Sequence, residues 1–141
     1  MLEIVSRLLL LTGLMYFAWK DYHTYYIGML EAVTIAILGV VLQFLWEGNI
    51  AVISEIFASM IIGICMIVIG VISKENIGIG DGVLFLVTGC YLHLWENIIL
   101  FFRTIFLIGG FAFLCLLIRK LKKIERIPMA PFMLAAYVTT L

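Results

Sequence analysis

The sequence predicts an all-α fold: a polytopic membrane helix bundle of about six transmembrane helices, forming a single membrane-embedded domain over residues 1–141. Three observations predict it. Of 141 residues, 65% are hydrophobic and only 13% are charged, about half the charge share of a soluble domain. The apolar residues run continuously, as in "LGVVLQFLW" and "MIIGICMIVIGVI", whereas barrel strands alternate. Helices satisfy their own backbone in lipid, so continuous apolar runs read as helices.

The elements follow in order. The first runs from Leu2 to Trp19. Arg7 gives it the look of a signal-peptide n-region, but Phe17-Ala18-Trp19-Lys20 offers no small-x-small cleavage site, so it reads as a retained helix. The second spans Met29–Trp46, the third Ile50–Ser73 and the fifth Ile98–Ile118. Each approaches the ~20 residues that cross the hydrocarbon core. The fourth, Gly82–Leu94, and the sixth, Pro128–Leu141, are short. They must thin the bilayer, be protected by neighbours, or cross incompletely.

Charge is informative by position. Nine basic and nine acidic residues cancel, so no overall attraction to nucleic acid is expected. If every helix crosses, Lys20, Lys74, Arg119, Lys120, Lys122, Lys123 and Arg126 fall on one side, leaving Arg7 and Arg103 near the other. The positive-inside rule makes the first side cytoplasmic, in the cell membrane. The cluster at 119–126 reads as an anchor on anionic lipid. Cys65, Cys90 and Cys115 are far apart and form no CxxC, so they read as small apolar residues in packed helices. No metal site or cofactor is expected. His23 reads as an interfacial residue among tyrosines, and His93, beside Trp95, as interfacial on the outer side. Glu31 lies near enough to the cytoplasmic side to line a site there, and Glu55 nearer the outside, where water solvates it.

Only two of the nine acids are aspartates, Asp21 and Asp81. Both fall at cytoplasmic ends of the expected helices and at one membrane depth. Two carboxylates meeting in a poorly hydrated cleft share a proton, as in aspartic proteases: the ionised member activates water and the protonated member polarises the scissile carbonyl. Gly78, Gly80 and Gly82 remove side chains around Asp81, which would let a substrate backbone approach. The residue types alone equally allow Asp81 as a helix N-cap and Asp21 as an interfacial neighbour of Lys20.

Gly78-Ile79-Gly80-Asp81 is a GxGD motif at a membrane helix start, with Asp21 upstream. Lys122 to Met133 reads "KKIERIPMAPFM", a basic run entering Ile127-Pro128-Met129-Ala130-Pro131-Phe132. In this order and spacing, across essentially the whole chain, these features resemble the type IV prepilin peptidase family, which includes archaeal preflagellin peptidases. The resemblance implies an aspartic-type endopeptidase whose catalytic pair is Asp21 and Asp81. Gly78, Gly80, Gly82, Pro128 and Pro131 would shape the site or bind substrate, and no cofactor would be needed. The implied partners are pilin-like precursors with a basic leader and an apolar helix, cut at the cytoplasmic face.

Two positions depart from the family pattern. Ile27-Gly28-Met29 stands where Ile-Pro-Asn is frequent, and Val83 stands where lysine is common two residues after the motif aspartate. The soluble cysteine-rich insert and N-methyltransferase region of longer members have no counterpart here, so peptidase without methyl transfer is expected. Two rival readings remain open: a small ion or proton-coupled transporter using the same aspartates, and a noncatalytic pilus assembly factor.

Overall fold

The computed structural model describes residues 1–24, 26–73, 78–117 and 127–140. The basic residues at 74 and 119–126 therefore lie outside the described residues. Among the described residues six helices follow one another: α1 Leu2–Thr24, α2 Met29–Glu47, α3 Ala51–Ile72, α4 Ile79–Gly89, α5 Leu94–Leu117 and α6 Ala130–Val138. Among the described residues there is no strand. The expected all-α membrane bundle is thus what the chain forms.

Among the described residues four helices, α1, α2, α3 and α5, are long and apolar enough to cross a membrane. At 1.5 Å per residue, α1 reaches about 34 Å. The other two are short: α4 has 11 residues and α6 has 9. Protection by neighbours accounts for them. Gly82, Leu84, Phe85, Val87, Thr88 and Gly89 of α4 are all buried, as are Ala130, Met133, Ala136 and Tyr137 of α6. The long helices turn most of their apolar surface outward, where lipid rather than water receives it. The core gathers around the short pair, with Leu10, Leu14 and Phe17 of α1 and Leu100 of α5 closing over it.

Helix boundaries differ from the sequence expectation at three places. α1 continues through Lys20 and Asp21 to Thr24, since no glycine or proline lies between Trp19 and Gly28. α4 starts at Ile79, not Gly82, which puts Asp81 inside its first turn, where the helix dipole favours an acid. α5 starts at Leu94, four residues before Ile98, after a turn over Cys90–His93. Elsewhere the punctuation is ordinary. Gly48 ends α2 in the left-handed conformation (φ 59°) and returns its N–H to Phe44 O, the usual use of a glycine at that position.

Helices α1 and α6 pack antiparallel. Tyr137 Oη donates to Arg7 O at one end of the α1–α6 pair, and Ala130 N donates to Asp21 Oδ2 at the other. Helices α3 and α4 approach more closely than ordinary side chains allow. A Cβ on Gly63 would stand 2.5 Å from Leu86 N and 2.7 Å from Gly82 O, and one on Gly89 would stand 3.0 Å from the Ser59 carbonyl carbon. Small residues let helix backbones meet in lipid, where no hydrophobic force draws them together. A buried polar clasp fixes α5 to the same pair: Thr88 Oγ1 donates to Asn97 Oδ1 at 2.9 Å, and Asn97 Nδ2 donates to Ser59 O at 2.9 Å. Of the cysteines, Cys90 is buried, Cys115 is partly covered and Cys65 is exposed, so Cys65 departs from the expectation of packed positions.

Candidate active site

The antiparallel packing brings the ends of α1, α4 and α6 to one end of the bundle. Asp21 sits in the last turn of α1 and is buried, only 7% exposed. Asp81, in the first turn of α4, is half-buried. The two carboxylates, 60 residues apart in sequence, are near enough for the charge of Asp21 to act on Asp81. Both aspartates thus stand at the same end of the bundle, with Asp21 on the start of α6 and Gly80, beside Asp81, on Ile27.

The proline motif supplies the third part. Helix α6 has no side-chain cap of its own. Its exposed N–H groups need acceptors, and Asp21 provides one: Ala130 N donates to Asp21 Oδ2 at 3.1 Å, across 109 residues of sequence. Pro128 and Pro131 carry no N–H. They flank Met129 and Ala130 and leave these two amides as the donors at this turn. Pro131 also occupies the first helical turn, where proline costs no hydrogen bond. Both prolines are half-buried beside this junction. Among the described residues, no hydrogen bond reaches either oxygen of Asp81.

The three glycines divide by role. Gly78 precedes α4 in an extended conformation, and a Cβ there would stand 2.9 Å from Asp81 Oδ2. It therefore frees space at the carboxylate itself. Gly80 faces Ile27, whose Cδ1 would lie 3.2 Å from an added Cβ. Gly82 faces away from open space: an added Cβ would meet the Ile67 amide nitrogen at 2.8 Å and Gly63 O at 3.0 Å. Its role is to let α4 rest on α3, which corrects the expectation that all three glycines open a path to substrate. Asp81 is also not the N-cap of α4, since Gly78 holds that position.

One ion pair borders this end. Lys20 Nζ lies 2.6 Å from both carboxylate oxygens of Glu31. A Cβ on Gly28 would stand 2.5 Å from Glu31 Oε2 and 2.9 Å from Lys20 Nζ, the far ends of two flexible side chains, so Gly28 lies directly against the pair. Val83 packs against the hydrophobic core, where a lysine would carry its charge into apolar surroundings.

The two histidines are at opposite ends. His23 accompanies Trp19 and Tyr22 near the aspartates. His93 meets Glu47 and Glu55 at the far end, a grouping that sequence spacing does not reveal. Compared with known proteins, the chain matches no family model, no curated sequence and no solved structure.

Proposed function

We propose that this chain is a membrane aspartic endopeptidase of the prepilin peptidase type, which removes the leader of pilin-like precursors at the cytoplasmic face of the cell membrane. The observation that carries the reading is the placement of Asp21 and Asp81 at the same end of the bundle, with the proline-flanked start of α6 seated on Asp21. In this mechanism the two carboxylates hold one proton between them. The ionised member takes a proton from water as the oxygen attacks the scissile carbonyl, and the protonated member donates to the carbonyl oxygen. No side chain becomes covalently attached. A precursor's apolar helix would stay in lipid beside the bundle while its basic leader remains in water, which delivers the scissile bond to the depth of the pair.

The test is co-expression with a precursor bearing a basic leader, followed by mass spectrometry of the new amino terminus. Leader loss is expected, with a free amine on the product even when a methyl donor is supplied. No processing of any pilin-like precursor, together with ion flux that disappears in Asp81→Asn, would replace this reading with a transporter. A methylated terminus made by this chain alone would overturn the second half of it.

Orientation has its own test. In a background without native cysteines, a cysteine at Ser73, at the same end of the bundle as Asp81, should react with an impermeant maleimide only after the cytoplasmic face is opened. One at Asn49, at the far end, should react from outside in intact cells. The reverse pattern would place the aspartates away from the leader.

A further inference from the structure

The end of the bundle opposite the aspartates carries a second cluster of reactive side chains. We propose that Glu47, Glu55 and His93 form a binding site for a divalent transition-metal ion of the zinc type. The three residues come from three separate elements: the C-terminal end of α2, the start of α3 and the turn before α5. Each offers one ligand atom, and these atoms all lie within 4.8 Å of one another.

The donor set is one imidazole and two carboxylates, a combination that suits zinc and leaves a position for water. Zinc ligands stand about 2.0–2.1 Å from the ion, so neighbouring ligands in a tetrahedron are roughly 3.3 Å apart. His93 Nε2 and Glu47 Oε1 are 3.7 Å apart. That is too long for a hydrogen bond but close to such a tetrahedral edge. His93 Nδ1 lies 2.7 Å from Glu55 Oε2, so with an ion on Nε2 Glu55 would orient the ring through its other nitrogen, and binding the same ion directly would take a turn of the imidazole toward both carboxylates. Binding takes the imidazole in its neutral form and releases its extra proton if it carries one.

The surroundings favour a cation and admit one from water. The side chains of His93 and Glu55 are 50% and 56% exposed. A pocket of about 150 Å³ opens beside them, with Glu3, Arg7, Gln43, Glu47, His93 and Glu96 among its lining. Arg7, the cation in this pocket, is already engaged by Glu3 and Glu96 at 3.1 and 2.8 Å. It does not compete for Glu47. A bound ion would join α2, α3 and the turn that follows α4, fixing the far end of the helix that carries Asp81. This site does not depend on the proposed peptidase activity and is tested apart from it.

The experiment uses the untagged full chain in lipid nanodiscs, stripped with chelator. Zinc chloride is titrated calorimetrically, cobalt is added for its visible absorption, and thermal unfolding is followed with and without zinc. One saturable equivalent is expected, with the melting temperature raised by at least about 5 °C at a hundredfold excess over Kd. His93→Gln and Glu47→Gln should each weaken binding at least tenfold, while Glu3→Gln, outside the ligand set, should not. Absence of saturable binding by the wild type would overturn the proposal, as would undiminished binding by His93→Gln. If His93→Gln fails to fold, undiminished binding by Glu47→Gln overturns it alone. A fall in the metal-free melting temperature of His93→Gln, with no zinc effect on the wild type, would make the cluster an ion pair only and likewise overturn it.

Discussion

Asp81→Asn should lower leader cleavage about a thousandfold while leaving the bundle folded, and Asp21→Asn should do the same. The size comes from the proton transfers that a carboxylate pair supplies, typically a factor of 10² to 10⁴. Because the pair acts as a unit, the double variant should be little worse than either single one. Asparagine is the right replacement at Asp21. Its amide oxygen can still accept from Ala130 N, so the start of α6 keeps its acceptor. Asp21→Ala removes that acceptor and should cost about 1 kcal/mol of stability in addition, mixing a folding defect with a chemical one. At Asp81, with no hydrogen bond to lose among the described residues, removing a desolvated charge should leave thermal stability unchanged or higher. This is the pattern of a site that gives up stability for chemistry. Rates are read by quantitative processing of a precursor in membranes, and folding by thermal unfolding of the same preparations. Near wild-type processing by either asparagine variant would remove the dyad.

Gly63→Ala should be the most damaging small substitution far from the carboxylates. The added methyl would stand 2.5 Å from Leu86 N and 2.7 Å from Gly82 O. Both are backbone atoms, and no rotamer change relieves them, so α3 and α4 must separate. Overpacking of this kind costs about 1–3 kcal/mol. The separation also shifts the first turn of α4, which carries Asp81, and a displacement of about 1 Å at a catalytic group costs on the order of a hundredfold in rate. Gly109→Ala and Gly110→Ala are the matched controls. An added Cβ at either position meets nothing within 4 Å, and alanine favours helix over glycine, so both should be neutral or mildly stabilising. If Gly63→Ala behaves like Gly109→Ala in melting and in processing, the close approach of α3 and α4 does not position Asp81.

Much of the architecture was legible because lipid leaves the chain few options. Continuous apolar runs had to become helices, and the alternation of helices put Asp21 and Asp81 at one end before any contact was known. The start of α4 was not legible. Ile79 to Gly82 is glycine-rich and reads as loop by propensity, yet it is helical because Gly82 rests on Gly63 and Ile67. Tertiary packing overrode the local preference. The hydrogen bond from Ala130 to Asp21 was beyond sequence reasoning for another cause. Its partners are 109 residues apart, and periodicity speaks only of neighbours. The proline motif was visible, but its work of leaving two free amides for an aspartate could be seen only in the fold. Glu55 and His93 were each visible as residues near the outer side, Glu47 drew no reading, and nothing in their spacing said that they converge.

The Ala130–Asp21 hydrogen bond also sets a clock on biogenesis. At a synthesis rate of about 5–20 residues per second, the 109 residues that separate the two partners take roughly 5–20 s to be made. During that interval α1 is already in the membrane with Asp21 unclaimed, and α4 can arrive with Asp81 before α6 exists. The newborn chain therefore passes through a stage in which both carboxylates are present but one lacks its anchor. Insertion of a nine-residue helix is what completes it. A ribosome stalled before Ala130 would leave a nascent protein with both aspartates and no α6 to hold Asp21.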